Sequence, residues 1–167
     1  VQEPLIARQL SDFPINKIAF SPFESKRLVS CGRENVRFWR IRRKHLPGCP
    51  AILNQFSRGA NFNDFAFETS YGKLDDADSP KIIFVATDSG TLLQVNYFSR
   101  ELLCVLKLHD DAINCVSVNE GFVVTGSDDR YLRIWPLDFS DYLLEAQNES
   151  AVTATSLSVD GLKLLIG

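Results

Sequence analysis

The stretch Thr125–Trp135 reads TGSDDRYLRIW. A hydroxyl residue and a glycine lead into two aspartates. Polar and apolar residues then alternate up to a tryptophan. Alternation with period two marks a half-buried strand, and Ser-Asp-Asp is a turn signal between two such strands. The stretch reads as a tight hairpin, and its meaning depends on whether it recurs.

It does recur. Four segments open alike: INKIAFSP from Ile15, FNDFAFET from Phe62, INCVSVNE from Ile113 and VTATSLSV from Val152. A second pattern follows each one: RLVSCGRENVRFW up to Trp39, IIFVATDSGTLLQV up to Val95, FVVTGSDDRYLRIW up to Trp135, and a short KLLIG at 163–167. Turn residues separate the strands (SPFES, NEG, VDG, DSG, SDD), and no window of helical length has a clean helical period. Further strands are expected at AILNQF (51–56), ELLCVLKL (101–108) and YLLEAQ (142–147). Four short antiparallel strands in each repeat of about 40–45 residues make the blade of a β-propeller. The fold class predicted is all-β, a propeller of four-stranded blades.

The blades are expected at 12–57, 58–108 and 109–147, with residues 148–167 supplying the first two strands of another. The second blade carries an insertion, SYGKLDDADSPK (70–81). PLIARQL, within 1–11, reads as the last strand of a preceding blade. Propellers close with roughly 4–8 blades, because closure removes exposed sheet edges. The sequence is therefore expected to be a partial ring, an excerpt of a longer propeller. The lack of any Met points the same way.

Composition excludes several classes. Apolar residues are 45% and charged residues 23%, which suits a globular chain. A net charge of -3 argues against a general nucleic-acid binder. KIIFVA is strand-sized, so no membrane partner is expected, and the start lacks the basic and apolar regions of a signal peptide. Cys31, Cys49, Cys104 and Cys115 are widely spaced. His45 and Cys49 supply at most half a zinc site, so no metal is expected. Cys31, Cys104 and Cys115 lie in apolar alternating runs, as small buried thiols do. A reducing, intracellular compartment is the expectation, in which the sequon at Asn148 stays silent. No Gly-rich phosphate loop is present, so neither a cofactor nor a small-molecule substrate is expected.

Over essentially its whole length the chain resembles the WD-repeat family, best from His109 to Gln147. In that family a buried His, a hydroxyl, an Asp and the Trp form a hydrogen-bonded set. The resemblance implies those places for His109, Thr125, Asp129 and Trp135, although Leu108 replaces the family's Gly before the His. The turn carboxylate would hold the imidazole N–H, and the hydroxyl would link the imidazole to the indole N–H. The first unit keeps Trp39 but has no His, and Arg33 or Glu34 stands near the Asp place. The second has Val95 near the Trp place and DSG as its turn.

A narrower resemblance is carried by YLRIWPLDFSDYLLEAQ (Tyr131–Gln147) and SPFESKRLVSCGRENVRFWRI (Ser21–Ile41). Both are similar to the large WD-repeat proteins of centriole and basal-body walls, with Pro136 after Trp135 the most distinctive residue. This implies a cytoplasmic, cytoskeletal scaffold of centriole, basal body or cilium, with tubulin, microtubules or centriolar proteins as partners. The alternative is a substrate receptor of a cullin-type ubiquitin ligase. Such receptors resemble one another in a Trp-Asp-x-Arg ending. WRIR at Trp39 keeps Arg42 but has Arg40 in place of the Asp, and WPLD at Trp135 has neither.

Catalysis finds no support in the sequence. His109 with Asp110 or Asp111 and a serine lacks a nucleophile elbow. Asp75, Asp76 and Asp78 lack the Gly and distal Glu of a calcium loop. One charge feature does stand out. Eight Lys and Arg lie between Lys26 and Lys44, against one acid, Glu34. The turns after the first and third strands of a blade share one end. Lys26, Arg27, Arg40, Arg42, Arg43 and Lys44 are thus expected to converge there as a docking patch for an acidic protein. The equivalent turns further on carry Asp75, Asp76, Asp78, Glu120, Asp138 and Asp141.

Overall fold

A computed structural model describes residues 7–69, 79–119, 121–158 and 163–167. The first sheet contains β1 (Ile15–Phe20), β2 (Arg27–Gly32), β3 (Asn35–Arg40) and β4 (Gly48–Pro50). The second contains β5 (Phe62–Phe67), β6 (Ile82–Thr87), β7 (Thr91–Asn96) and β8 (Leu102–Lys107). The third contains β9 (Ile113–Asn119), β10 (Phe122–Ser127), β11 (Tyr131–Pro136) and β12 (Leu144–Gln147). A two-stranded sheet follows, β13 (Thr155–Leu157) with β14 (Leu164–Ile166). Each sheet is an antiparallel meander in chain order, as a WD-repeat blade is. No sheet closes on itself among the described residues. Nor is any helix there long and apolar enough to cross a membrane.

The sheets stack because their middle strands are apolar on both faces. In β6, Ile83 and Val85 pack with Val29, Val36 and Phe38 of the first sheet. Phe84 and Ala86, pointing the other way, pack with Val116, Val123 and Trp135 of the third. A smaller core of Val124, Leu132 and Val152 joins the third sheet to the chain entering the fourth. Fully burying each such side chain stabilises by roughly 1.5–3 kcal/mol relative to leaving it in water.

Side chains on the opening strands also tie sheet to sheet. Each of β1, β5 and β9 begins with a bulge. The residue skipped by the ladder is an asparagine every time: Asn16, Asn63 and Asn114. A bulge re-aims its extra side chain. Here each amide donates to the backbone of the next repeat, Asn16 to the Phe62 carbonyl at 2.9 Å, Asn63 to that of Ile113 at 3.0 Å and Asn114 to that of Val152 at 3.1 Å. Asp64 spans three sheets. One oxygen pairs with Lys17 Nζ of β1 at 2.5 Å, and the other accepts the Val116 N–H of β9 at 2.8 Å.

The fourth strand of the first sheet differs from expectation. It lies at Gly48–Pro50, just before the apolar run AILNQF. Gly48 sits opposite Trp39, so close that a Cβ there would lie 2.6 Å from the indole Cε3. Only glycine fits, and this fixes the register. Pro47 and Pro50 flank it and suit an edge strand, since they have no N–H to leave unpaired. The run itself leaves the sheet. Ile52 bonds to Arg100 and Leu102 of the second sheet, and Asn54–Ser57 forms a 3-10 turn. The strand expected at PLIARQL falls largely outside the described residues, and Ala7 within it makes an isolated parallel bridge to Lys44. Most of the insertion 70–81 also lies outside them.

Candidate functional site

Two constellations concern function: the polar set around His109 and the cationic end of the first sheet. The structure brings His109, Thr125, Asp129 and Trp135 into one chain of hydrogen bonds. His109 Nδ1 lies 2.9 Å from Asp129 Oδ2, and Nε2 lies 2.7 Å from Thr125 Oγ1. Trp135 Nε1 donates to the same Oγ1 at 2.9 Å. The partners fix the proton order: Asp129 accepts from Nδ1–H, and the Thr125 hydroxyl donates to Nε2 while accepting from the indole. Asp129 Oδ1 also accepts the Tyr131 N–H, which ties the β10–β11 turn to the strand it starts.

Burial keeps this histidine neutral. Loss of hydration pushes the His109 imidazole below its ordinary 6.5, and outweighs the opposing pull of Asp129. Burial also works against the Asp129 carboxylate, but the donors Tyr131 N–H and His109 Nδ1–H outweigh it and hold the carboxyl below its usual range. A histidine depressed in the fold takes up its proton first in the unfolded chain. Its stabilisation is full above 6.5 and is lost as pH falls through the depressed value. Stability of the intact protein is therefore expected to fall as pH drops below 6.5, and the fall should flatten in His109→Gln. Thermal melts of both above and below that pH check this. An unchanged slope in the variant would show that His109 is not the group responsible.

The other repeats use different chemistry at the same places. In the first sheet Trp39 Nε1 donates to Ser30 Oγ at 2.8 Å, and both groups are buried. Ser30 is the fourth residue of β2, as Thr125 is of β10. In the second sheet Val85 and Val95 take the hydroxyl and Trp places, since Val95 pairs with Ile83 as Trp135 pairs with Val123. The turn there is closed by hydroxyls instead, with Thr87 Oγ1 at 2.9 Å from Ser89 Oγ and 2.7 Å from Thr91 Oγ1. Glu34 accepts the Gly59 N–H, a residue of the loop entering the second sheet, so it faces away from its own repeat's entry.

Of these, Ser30 and the asparagines Asn16, Asn63 and Asn114 escape a reading confined to the tryptophan motif. Their signal lies in aligned columns: RLVS against FVVT, and INKI, FNDF and INCV at one shared place. Cys31 and Cys115 are buried, whereas Cys104 on the outer strand β8 is half-buried. Burial pushes the Cys31 thiol up to about 12 and raises Cys115 as well, which leaves both as inert thiols. Among the described residues no cluster of His, Cys, Asp and Glu could hold a metal ion.

The cationic residues gather at one end of the first sheet. Arg27 starts β2 and pairs across the ladder with Arg40 at the end of β3. Lys26 accepts the Ile41 N–H through its carbonyl, which holds the two turns together. Arg42 and His45 bond to each other through both backbone groups and lift Arg43 and Lys44 into a two-residue tip. Lys26, Arg40, Arg42, Arg43 and Lys44 are exposed, and Arg27 is half-buried. Of these six, only Arg27 has a carboxylate partner among the described residues, Glu24 at 3.5 Å. The acidic counterpart is described in part: Asp138 and Asp141 are exposed, while Asp75, Asp76, Asp78 and Glu120 lie outside the described residues.

The family described as "WD domain, G-beta repeat" matches residues 100–136. The chain is also similar to Centriole proteome protein 16 of Chlamydomonas reinhardtii, 37% identical over 98% of this chain and 8% of that protein. WD repeat-containing protein 90 of Xenopus tropicalis is 33% identical and that of Homo sapiens 32%, each over 96% of this chain and 10% of the relative. The chain thus spans about a tenth of the length of the curated relatives it matches.

Proposed function

We propose, on the premise that the chain belongs to the WD-repeat family, whose members act as protein-interaction scaffolds, a non-catalytic scaffold that docks an acidic protein surface at the cationic end of its first sheet. The observation that carries this reading is the convergence of Lys26, Arg27, Arg40, Arg42, Arg43 and Lys44 on two adjoining turns with a single carboxylate among them. Unpaired cations at one end attract an acidic partner and speed its approach. The setting we propose is the microtubule-based cytoskeleton, in centriole, basal body or cilium. Its support is the similarity to a protein named for the centriole proteome. The acidic tails of tubulin are the candidate partner.

The polar set around His109 is structural in this reading. Thr125 is fully buried and His109 nearly so, with Trp135 over them, so no substrate reaches the pair. A reactive histidine needs the opposite: an open face and a nucleophile within reach.

Localisation tests the cytoskeletal setting. The tagged intact protein is expected at centrioles or basal bodies of ciliated cells. An R42E/R43E/K44E variant is expected to be largely lost from them at equal expression. Undiminished centriolar signal from the variant would separate the cationic tip from targeting. Absence of the parent from those structures would remove the cytoskeletal reading.

A further inference from the structure

Beside the cationic tip, between the first and second sheets, lies a cleft of about 120 Å³. It is lined by Glu24, Arg27, Phe38, Tyr97, Phe98 and Arg100, among others. It is well below the ~300–1,000 Å³ of a cofactor site, and has room for one side chain. Phe38 and Tyr97 belong to the core between the sheets. The Tyr97 ring stands edge-on to Phe38 at 5.6 Å and to Phe98 at 5.1 Å. Phe98 continues this aromatic column into solvent and is 59% exposed.

The turn that carries Phe98 is rigidly held. Asn96 Oδ1 accepts the N–H groups of both Phe98 and Ser99 at 2.9 Å, and the Asn96 carbonyl accepts that of Arg100. Arg100 sits at φ +63°, a left-handed conformation that a non-glycine residue keeps only where its surroundings impose it. An exposed aromatic ring fixed on a buried one loses little freedom when a partner covers it. Cations outnumber the one carboxylate around the ring: Arg27 and Arg100 line the cleft, Glu24 lies 3.5 Å from Arg27, and Lys26 and Arg40 adjoin Arg27.

We infer that this cleft recognises an extended acidic peptide segment by inserting one of its apolar side chains against Phe98 while its carboxylates meet Arg100 and the neighbouring Lys26 and Arg40. The charge of the framing residues selects the acidic segment, and the ring supplies the contact that charge alone does not give. The inference rests on the proposed docking reading for the sign of the partner, and it adds an apolar anchor.

The test is fluorescence anisotropy of the intact protein with two labelled peptides, Glu-Glu-Leu-Glu-Glu and Glu-Glu-Ala-Glu-Glu. The leucine peptide is expected to bind about tenfold more tightly, as one buried aliphatic side chain allows. Phe98→Ala should abolish that preference, and an exposed position tolerates the change. R42E/R43E/K44E should weaken both peptides by the same factor and leave the preference intact. Equal, salt-sensitive binding of both peptides by the parent overturns the cleft and leaves the cationic end standing. A preference that survives Phe98→Ala also overturns it. No binding of either peptide at low salt overturns both readings.

Discussion

Trp135→Ala is expected to destabilise the intact protein by about 3–5 kcal/mol, the loss typical of a large buried aromatic. Trp135 packs into the core shared by the second and third sheets, with Phe84, Leu92 and Val123. Its removal opens a void at that junction and strips the Thr125 hydroxyl of its indole donor. Asp129→Ala strands the buried His109 Nδ1–H and should cost about 1–3 kcal/mol. The two losses should not add, because one chain of hydrogen bonds runs from Asp129 through His109 and Thr125 to Trp135. A double-mutant cycle by urea melts measures the coupling. Strict additivity would mean that the polar chain does not act as a unit.

Gly90→Ala should cost about 2–4 kcal/mol, although it adds a single methyl group at a turn. Gly90 has φ +74°, and a Cβ there would lie 2.3 Å from the His109 carbonyl oxygen. That carbonyl cannot swing away cheaply, because the N–H groups of Leu108 and His109 both donate to the Gly90 carbonyl at 3.1 Å. The second sheet's turn is thus pressed against the backbone that positions the third sheet's histidine. Gly59→Ala is the control. Gly59 has φ +70° with nothing within 4 Å of the added carbon, so it should show only the backbone cost of about 1 kcal/mol. If the two variants melt alike, the contact between Gly90 and His109 carries no load.

Period-two alternation made most of the architecture legible. Strands such as IIFVAT and FVVTGS announce themselves because both faces meet apolar neighbours. Trp135 and its partners were placed by the resemblance to the WD-repeat family, which sets His109 before the first strand and Thr125, Asp129 and Trp135 on the hairpin. Val95 could be set at the Trp place by counting along the same hairpin. The fourth strand of the first sheet was not legible, because Gly48 and Pro50 are poor strand formers that serve here by fitting under Trp39 and leaving an edge unpaired. The apolar run AILNQF drew the assignment instead, yet its Ile52 is 50% exposed and bonds to the next sheet. The bulge asparagines and Asp64 act on residues about 40–50 positions away. No local pattern encodes such reach; only the repeat alignment holds a trace of it. The Phe98 cleft was invisible for the same reason, since it exists only where two sheets meet.

The docking claim is tested most directly by co-sedimentation of the intact protein with microtubules over a salt series, with and without removal of the acidic tubulin tails. Exposed charges are screened beyond roughly 8 Å at physiological ionic strength, so pelleting should fall steeply with salt and with tail removal. R42E/R43E/K44E should pellet poorly at low salt while melting like the parent, because the tip residues are exposed and carry little packing. A variant that pellets as well as the parent at every salt concentration would contradict the account and reduce the cationic end to an ordinary wet surface.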